Sequence, residues 1–497
     1  MAKMKTRKST VEAILQNVGL IDVVTGTFIK GAKGEMVLAG GIDNVYAIIG
    51  PGNSYKSTLL HYFTTTAADR MAASLPRHKN EKVIISSFDT EMNMKYARLY
   101  EFLLRAKHLK NDMLDGDDPD WNVLTKADCP ADIWVSDFRD YVLERAKEKK
   151  IEFAAFENPY TKKPYVAHFP GYSQIDSIAE FETSAGMEML AKSKLDRTDT
   201  ATYYLGGGLF KSKFIGELPR LTRMSNLFLG YVAHTGEGKG IGENKYAPPE
   251  KQNQYLKGDT KIKGATGKTN YLTLLSMYAS TASVLKNKAT RLPEYPRQDM
   301  EEYETDLNVV RLTLLRSKSG PSGTVTEVVV SQSEGVKPEL SAFHYIKNQA
   351  KFGIIGNDRN YAIALRPNVS LRRTNIRELL ETDVRLARAV TILERLRKMQ
   401  LYMPMYNKYQ LSPEELYERL IEHGYEWDTL LLSRDWWTID QYSPNVVPYL
   451  SELDLLRMAH DVYVPYWLEE DRKTVKKTWR HHFLIDTPKK DKQNDTI

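Results

Sequence analysis

Val45-Tyr-Ala-Ile-Ile49, followed by Gly50-Pro51-Gly52-Asn53-Ser54-Tyr55-Lys56-Ser57-Thr58, is the stretch on which the reading of the chain turns. The apolar run predicts a buried strand, the glycines interrupt it, and a helix is expected from Ser57 onward. A loop between a strand and a helix aims successive backbone N–H groups and the positive end of the helix dipole at an anion. Lys56 adds a full positive charge, and a hydroxyl such as that of Ser57 ligates Mg²⁺ beside a bound phosphate. Tyr55 stands where a glycine usually precedes that lysine. The spacing alone also fits an ordinary turn; the flanking strand and helix favour a phosphate-binding loop.

The strand–loop–helix pattern recurs downstream. Val83-Ile-Ile85 to Phe88 is a second apolar run that ends in Asp89-Thr90-Glu91 and enters a helical stretch over Tyr96–Leu104. Such recurrence predicts an α/β fold with a mostly parallel central sheet. Ligands of such sheets gather at the carboxyl ends of the strands. Glu91 has two readings there. Beside an N-cap at Thr90 it would gain from a helix dipole; as a catalytic group it would orient and activate water against a γ-phosphate. A magnesium-side acid should close another strand, and Asp176 in Gln174-Ile-Asp-Ser-Ile178 is the candidate. Pro170 and Gly171 weaken the strand before it, so a surface turn competes.

Leu227-Phe-Leu-Gly-Tyr-Val-Ala233 predicts another buried strand, ending at His234, which also fits a core or cap role. Residues 236–268 then hold seven Lys (Lys239, Lys245, Lys251, Lys257, Lys261, Lys263 and Lys268), seven Gly and four acids, with Tyr246 and Tyr255 between them. Positive charge and aromatic faces on a glycine-rich loop suit the phosphates and bases of single-stranded DNA. A merely solvated loop is the competing reading, although so long a loop in a compact domain points to function. Asn308–Leu315 and Thr324–Val330 predict strands around the turn Lys318–Gly323, and from Thr374 the pattern becomes helical.

The 497 residues allow roughly three domains. Seventy Lys and Arg against 64 Asp and Glu leave a net charge of +6, too little to make the whole surface a polyanion binder. The single cysteine, Cys129, excludes an intramolecular disulfide framework and a cysteine-only metal site, and fits a reducing compartment. No apolar run approaches the ~18 residues that span a bilayer. The basic start Met1–Lys8 leads into Val11-Glu-Ala-Ile-Leu-Gln16 rather than the apolar core of a secretory signal. Membrane, secreted and fibrous classes are therefore not expected.

In this order the elements resemble the RecA family of recombinases, most closely its phage UvsX branch, whose members also carry an aromatic residue before the phosphate-loop lysine. The resemblance rests on Gly50–Ser57, Asp89–Glu91, Ile175-Asp176-Ser177, Ala233-His234-Thr235 with its Gly/Lys-rich loop, residues 308–330 and Gly335–Ile355. It implies a RecA-like P-loop ATPase core with a short N-terminal helical arm and a C-terminal α-rich extension. It implies ATP and Mg²⁺ as cofactors, single-stranded and homologous duplex DNA as partners, no membrane, and a homo-oligomeric helical filament in the cytoplasm, host-cell cytoplasm if phage-encoded. Gly50 to Thr58 would cradle the nucleotide, with Lys56 and the loop amides on the β- and γ-phosphates. Ser57 and Asp176 would place Mg²⁺, and Glu91 would position water. Arg316 and Lys318 would act on a neighbouring subunit's ATP. His234 would couple nucleotide state to the lysines of the 236–268 loop, the DNA-binding set.

The implied organisation is a protomer-contact arm over 1–30, including a helix at about 9–18, and an ATPase core over 31–335 enlarged around 105–165. A small domain over 336–408, an appended helical domain over 409–485 and a disordered tail over 486–497 follow. Five of the seven tryptophans (Trp427, Trp436, Trp437, Trp467, Trp479) fall in the appended region, as core aromatics or as a docking surface. A hexameric DnaB-type helicase, which forms rings, is the nearest rival: Arg316-Ser-Lys-Ser-Gly-Pro-Ser-Gly-Thr-Val325 resembles its basic finger. Only 49 residues precede the phosphate loop, little room for the N-terminal domain of such helicases. A third reading is a nucleotide-bound, DNA-binding structural filament with little turnover, suggested by Tyr55 and by the irregular approach to Asp176.

Overall fold

The computed structural model describes residues 14–158, 161–192, 197–237, 253–256, 258, 260–264, 267–287, 290–297, 304–357 and 360–483. Its centre is an eleven-stranded sheet. The strands are β1 (Val45–Gly50), β2 (Ile85–Asp89), β3 (Trp121–Thr125), β4 (Gly171–Asp176), β5 (Leu227–Glu237), β6 (Thr260–Ile262), β7 (Leu275–Ala279), β8 (Ser283–Val284), β9 (Leu307–Arg316), β10 (Val325–Ser331) and β11 (Gly335–Val336). Across the sheet the order is β11-β10-β9-β7-β1-β5-β4-β2-β3, with β6 paired to β5 and β8 to β9. From β3 to β7 every neighbouring pair is parallel. The strands β9, β10 and β11 form an antiparallel wing. The chain is thus α/β around a large mixed sheet with a parallel centre.

Parallel strands buried on both faces read as continuous apolar runs because alternate residues enter opposite layers. In β1, Tyr46 and Ile48 join one core with Leu59, Leu60 and Phe63 of helix α1 (Lys56–Ala72) and Leu99 and Leu103 of α2 (Tyr96–Arg105). Val45, Ala47 and Ile49 join another with Trp134, Val135 and Phe138 of α3 (Ala131–Arg145) and Phe214, Leu218 and Leu221 of α4 (Arg197–Ser225). The segment 105–165, expected as an enlargement of the core, supplies β3 and α3, neither of which is evident in its sequence.

The weak strand expected before Asp176 is a fully buried one. Pro170 lies just outside it, and Gly171 fits because a Cβ there would lie 3.0 Å from Leu227 and 3.2 Å from Arg145. Residues 171–176 are thus a core strand and not a surface turn.

The helix expected at about 9–18 is not helical over its described part, 14–18. Gln16 forms an antiparallel bridge with Ile42, and Asn17 Nδ2 donates to the carbonyls of Leu38 at 3.1 Å and Gly40 at 2.9 Å. These long-range partners take the place of helical ones. Trp437 donates from its ring to Leu15 O at 3.1 Å and from its backbone to Asn17 Oδ1 at 3.0 Å, so residues 14–17 of the expected arm are held within this chain. Residues 1–13 and the tail 486–497 lie outside the described residues.

After β11 come α5 (Pro338–Asn348), a three-stranded antiparallel sheet over 354–371, and α6 (Val384–Tyr402). Leu411, Leu416, Leu420, Trp427 and Trp467 pack into the same core as Leu393 and Leu396 of α6, so packing runs without a break from 336–408 into 409–483. Trp427, Trp437 and Trp467 are buried, as core aromatics. No helix among the described residues is long and apolar enough to cross a membrane.

Candidate active site

Gly50 ends β1 where no side chain fits: a Cβ would lie 2.3 Å from the carbonyl oxygen of Ala279. Asn53 and Tyr55 then adopt left-handed backbone, with φ of 54° and 55°. Such residues curl a chain into an anion-binding concavity, and glycine enters this region at least cost. Tyr55 takes the glycine's conformation and has its ring held: its hydroxyl accepts from Asn308 Nδ2 at 3.0 Å, on β9. Ala282 N donates to Asn53 O at 3.1 Å, and Ser54 Oγ donates to Pro51 O at 2.8 Å, closing the loop on itself. Helix α1 begins at Lys56, which is buried and donates to Pro51 O and, at 3.3 Å, to Ser54 Oγ. Burial draws the Lys56 pKa down, against the pull of the Asp176 and Glu91 carboxylates.

Two strands bring the acids to this loop. Asp89 and Asp176 are paired residues at the carboxyl ends of β2 and β4. Asp176 is buried, and neither of its carboxylate oxygens has a hydrogen-bond partner. Burial, with the Glu91 and Asp89 charges, pushes its pKa up to about 6, eased by the nearby Ser57 hydroxyl and by His234. Ser57 thus stands close to Asp176 without closing a hydrogen bond. Asp89 accepts from Met94 N at 2.7 Å through one oxygen, while the other is buried and unpartnered.

Thr90 does not cap a helix, since α2 starts only at Tyr96 with Lys95 before it. Its hydroxyl instead accepts from Ser177 N and donates to Ser177 O, both at 2.7 Å, and its amide donates to Asp176 O at 2.8 Å. The helix-capping reading therefore gives way to a lashing between the ends of β2 and β4.

Glu91, just past β2, has Oε1 2.5 Å from His234 Nε2, which lies within β5 because the strand runs past its expected end at Ala233 to Glu237. Oε2 accepts from Asn93 Nδ2 at 3.1 Å. Burial would raise the Glu91 pKa, but Ser177, His234 and Lys56 outweigh it and hold the carboxyl below its ordinary range. His234 is in register with Gly50 on β1, so its ring stands beside the loop. One residue cluster now contains Lys56, Ser57, Glu91, Asp176 and His234. The chain matches no family model and no curated protein.

The orphaned oxygens of Asp176 near the Ser57 hydroxyl, with Asp89 paired to Asp176 across the strands, are a donor set of hard oxygens, which suits Mg²⁺. No group of three or more His, Cys, Asp or Glu among the described residues forms a self-contained metal site. A cation held by one or two carboxylates completes its shell with water and phosphate, as Mg²⁺ commonly does.

Arg316 and Lys318 are not brought to this cluster. Arg316 pairs with Ser276 and Ser276 with Ala47, which places the end of β9 at the amino edge of the parallel strands, opposite Gly50. Arg316 donates there to Asn270 O, and Lys318 is exposed. Of the DNA-binding candidates, Lys239, Lys245, Lys251 and Lys257 lie outside the described residues. Lys261, Lys263 and Lys268 are exposed. Part of the expected loop is a strand: β6 pairs with the end of β5, Ile262 is buried, and Lys263 N donates to His234 O at 2.7 Å. Asp89, Ser177 and Asn308 belong to the site as well. Asp89 carried a signal, as the residue that ends an apolar run; the other two carried none.

Proposed function

We propose that the chain is an ATP-dependent DNA recombinase of the RecA type, a DNA-dependent ATPase that forms filaments on single-stranded DNA and pairs it with homologous duplex DNA. The observation that carries this reading is the short path Glu91–His234–Lys263. It joins the candidate water-activating carboxylate to the strand on which the lysine-rich segment returns. A DNA-dependent ATPase needs such a link between the γ-phosphate and the nucleic-acid surface. The parallel sheet with its loop at β1, next to strands ending in acids, supports the RecA-like core.

In this reading Lys56 and the amides of Gly50 to Thr58 bind the β- and γ-phosphates, an electrostatic role that grows as charge develops in transfer. Ser57 and Asp176 would hold Mg²⁺, which would neutralise phosphate charge when bound. Glu91, kept ionised by His234 and Lys56, orients water and accepts its proton. His234 moves with Glu91 when the γ-phosphate is lost and transmits that change through its own carbonyl to β6. Arg316 and Lys318, at the opposite edge, reach ATP only from a neighbouring copy, so turnover requires assembly.

Electron microscopy with single-stranded DNA and a slowly hydrolysed ATP analogue, paired with an ATPase assay, tests the reading. Open helical filaments with DNA-stimulated turnover are expected. Closed six-membered rings that unwind forked duplex would indicate the helicase. Filaments whose turnover is indifferent to Lys56→Ala would indicate a structural scaffold.

A further inference from the structure

One pleat below the acids, the same sheet face carries polar side chains within an otherwise apolar layer. Ser87 precedes Asp89 by two residues and Gln174 precedes Asp176 by two, so each pair shares a face, and Ser87 and Gln174 are paired across the strands. Gln174 Nε2 donates to Ser87 Oγ at 2.6 Å, and Trp121 Nε1 of β3 donates to the same oxygen at 2.8 Å. Gln174 Oε1 lies 3.1 Å from His61 Nδ1 and 3.3 Å from Thr64 Oγ1, whose one proton is shared with Leu60 O at 2.9 Å. Thr64 Oγ1 lies 2.8 Å from the Tyr46 hydroxyl of β1. All of these residues are buried. Burial lowers the His61 pKa to about 4, so near pH 7 the ring is neutral and meets the amide oxygen through a protonated Nδ1.

Ser57, His61 and Thr64 are spaced four and three residues apart, which puts them on one face of α1. The interface between α1 and the sheet therefore has two rungs. The upper rung is Ser57 with Asp176; the lower is His61 and Thr64 with Gln174 and Ser87. An apolar helix-on-sheet contact tolerates small slides, whereas directional hydrogen bonds from one helix to two strands, tied in turn to two more, do not. Mg²⁺ demands near-ideal octahedral geometry, so slides of a few tenths of an ångström matter to it.

We propose that Gln174 is a positioning residue for the divalent cation: through His61, Thr64 and Ser87 it pins α1 against β4 and β2, and so sets the Ser57 hydroxyl and the Asp176 carboxylate where one cation meets both. The role rests on the ATP and Mg²⁺ reading of the site. It predicts a defect in the metal contribution to nucleotide binding, distinct from a defect in the phosphate loop itself.

The test is binding of a fluorescent ATP analogue to the full chain with and without Mg²⁺, read as the ratio of the two dissociation constants. Gln174→Met keeps the volume and removes the hydrogen bonds. It should cut that ratio by about tenfold, in line with the 10–100-fold effect of residues that orient metal ligands, while metal-free binding stays within about twofold. Gln174→Glu retains an acceptor for His61 and should recover most of the ratio. A folded Gln174→Met with the wild-type ratio, or one losing metal-free and metal-dependent binding alike, overturns the positioning role. If Gln174→Met fails to fold, Ser87→Ala replaces it: a reduced ratio supports the role, and a wild-type ratio overturns it. A wild-type chain that binds no nucleotide, or binding indifferent to Lys56→Ala, instead defeats the reading of the site as a whole.

Discussion

The two ends of α1 hold buried charge in opposite ways. At its C-terminal end Arg70 lies 3.5 Å from Asp22, which also lies 3.5 Å from Arg395; Arg395 is 2.9 Å from Asp435, and Glu452 is 2.7 Å from Arg388. Each of these charges faces an opposite one, and together they clamp the N-terminal segment and the C-terminal region onto the core. At the N-terminal end, Asp176 has no hydrogen-bond partner and its strongest charged neighbours are two more carboxylates. Buried polar groups are ordinarily satisfied. The lesson is that charge facing opposite charge ties distant segments together at one end, while like charges gather at the other, where a ligand would complete them.

The largest expected effect breaks the functional end alone. Glu91→Gln should reduce DNA-stimulated ATP hydrolysis by about 10²–10⁴-fold, the range for a general base, with nucleotide binding retained in a titration. At the structural end, Arg395→Met strands Asp22, Asp435 and Glu452 without their shared cation. Breaking a buried ion network in this way costs about 3–5 kcal/mol, which urea unfolding should register.

The pH dependence of stability separates Asp176 from Asp435 by sign. Asp176 takes up its proton at about pH 6 when folded, against 3.8 for the ordinary carboxyl. Between those values the folded state binds more protons, so this residue lowers stability as pH rises, by about 3 kcal/mol in all. Asp176→Asn should remove that slope and stabilise the chain at neutral pH. Asp435 is the reverse: burial opposes its charge, but Arg395, Arg388 and Arg70 outweigh it and hold its pKa below 3.8. Its contribution is present above the ordinary carboxyl pKa and is lost as pH falls below it. Unfolding measured across acid pH in both Asp176→Asn and Asp435→Asn resolves the pair. The smallest effect is at Tyr55→Gly, where relief of left-handed backbone offsets the lost bond to Asn308; ATP affinity should stay within about threefold, checked by titration.

Much of the functional end is readable along the chain. The loop from Gly50 to Ser57, the acids closing β2, and the strand before His234 each consist of adjacent residues whose pattern is complete in itself. The strand bearing Asp176 is different. Pro170 and Gly171 argue against a core strand, and only the tertiary structure supplies the buried layers, with His61 and Ser87 against Gln174, that make it one. The pairing of Glu91 with His234 spans 143 positions, and no local pattern announces it. Residues 14–18 similarly look helical until Ile42, Leu38 and Trp437 claim their polar groups.

The α/β class and the phosphate loop follow from short-range chemistry, because a strand, a turn and a helix start are each specified by neighbouring residues. Which acids face that loop, and which lysines stand behind His234, depends on strand order and register. Those are set by long-range packing of two buried sheet faces, and they join residues that the linear chain keeps far apart.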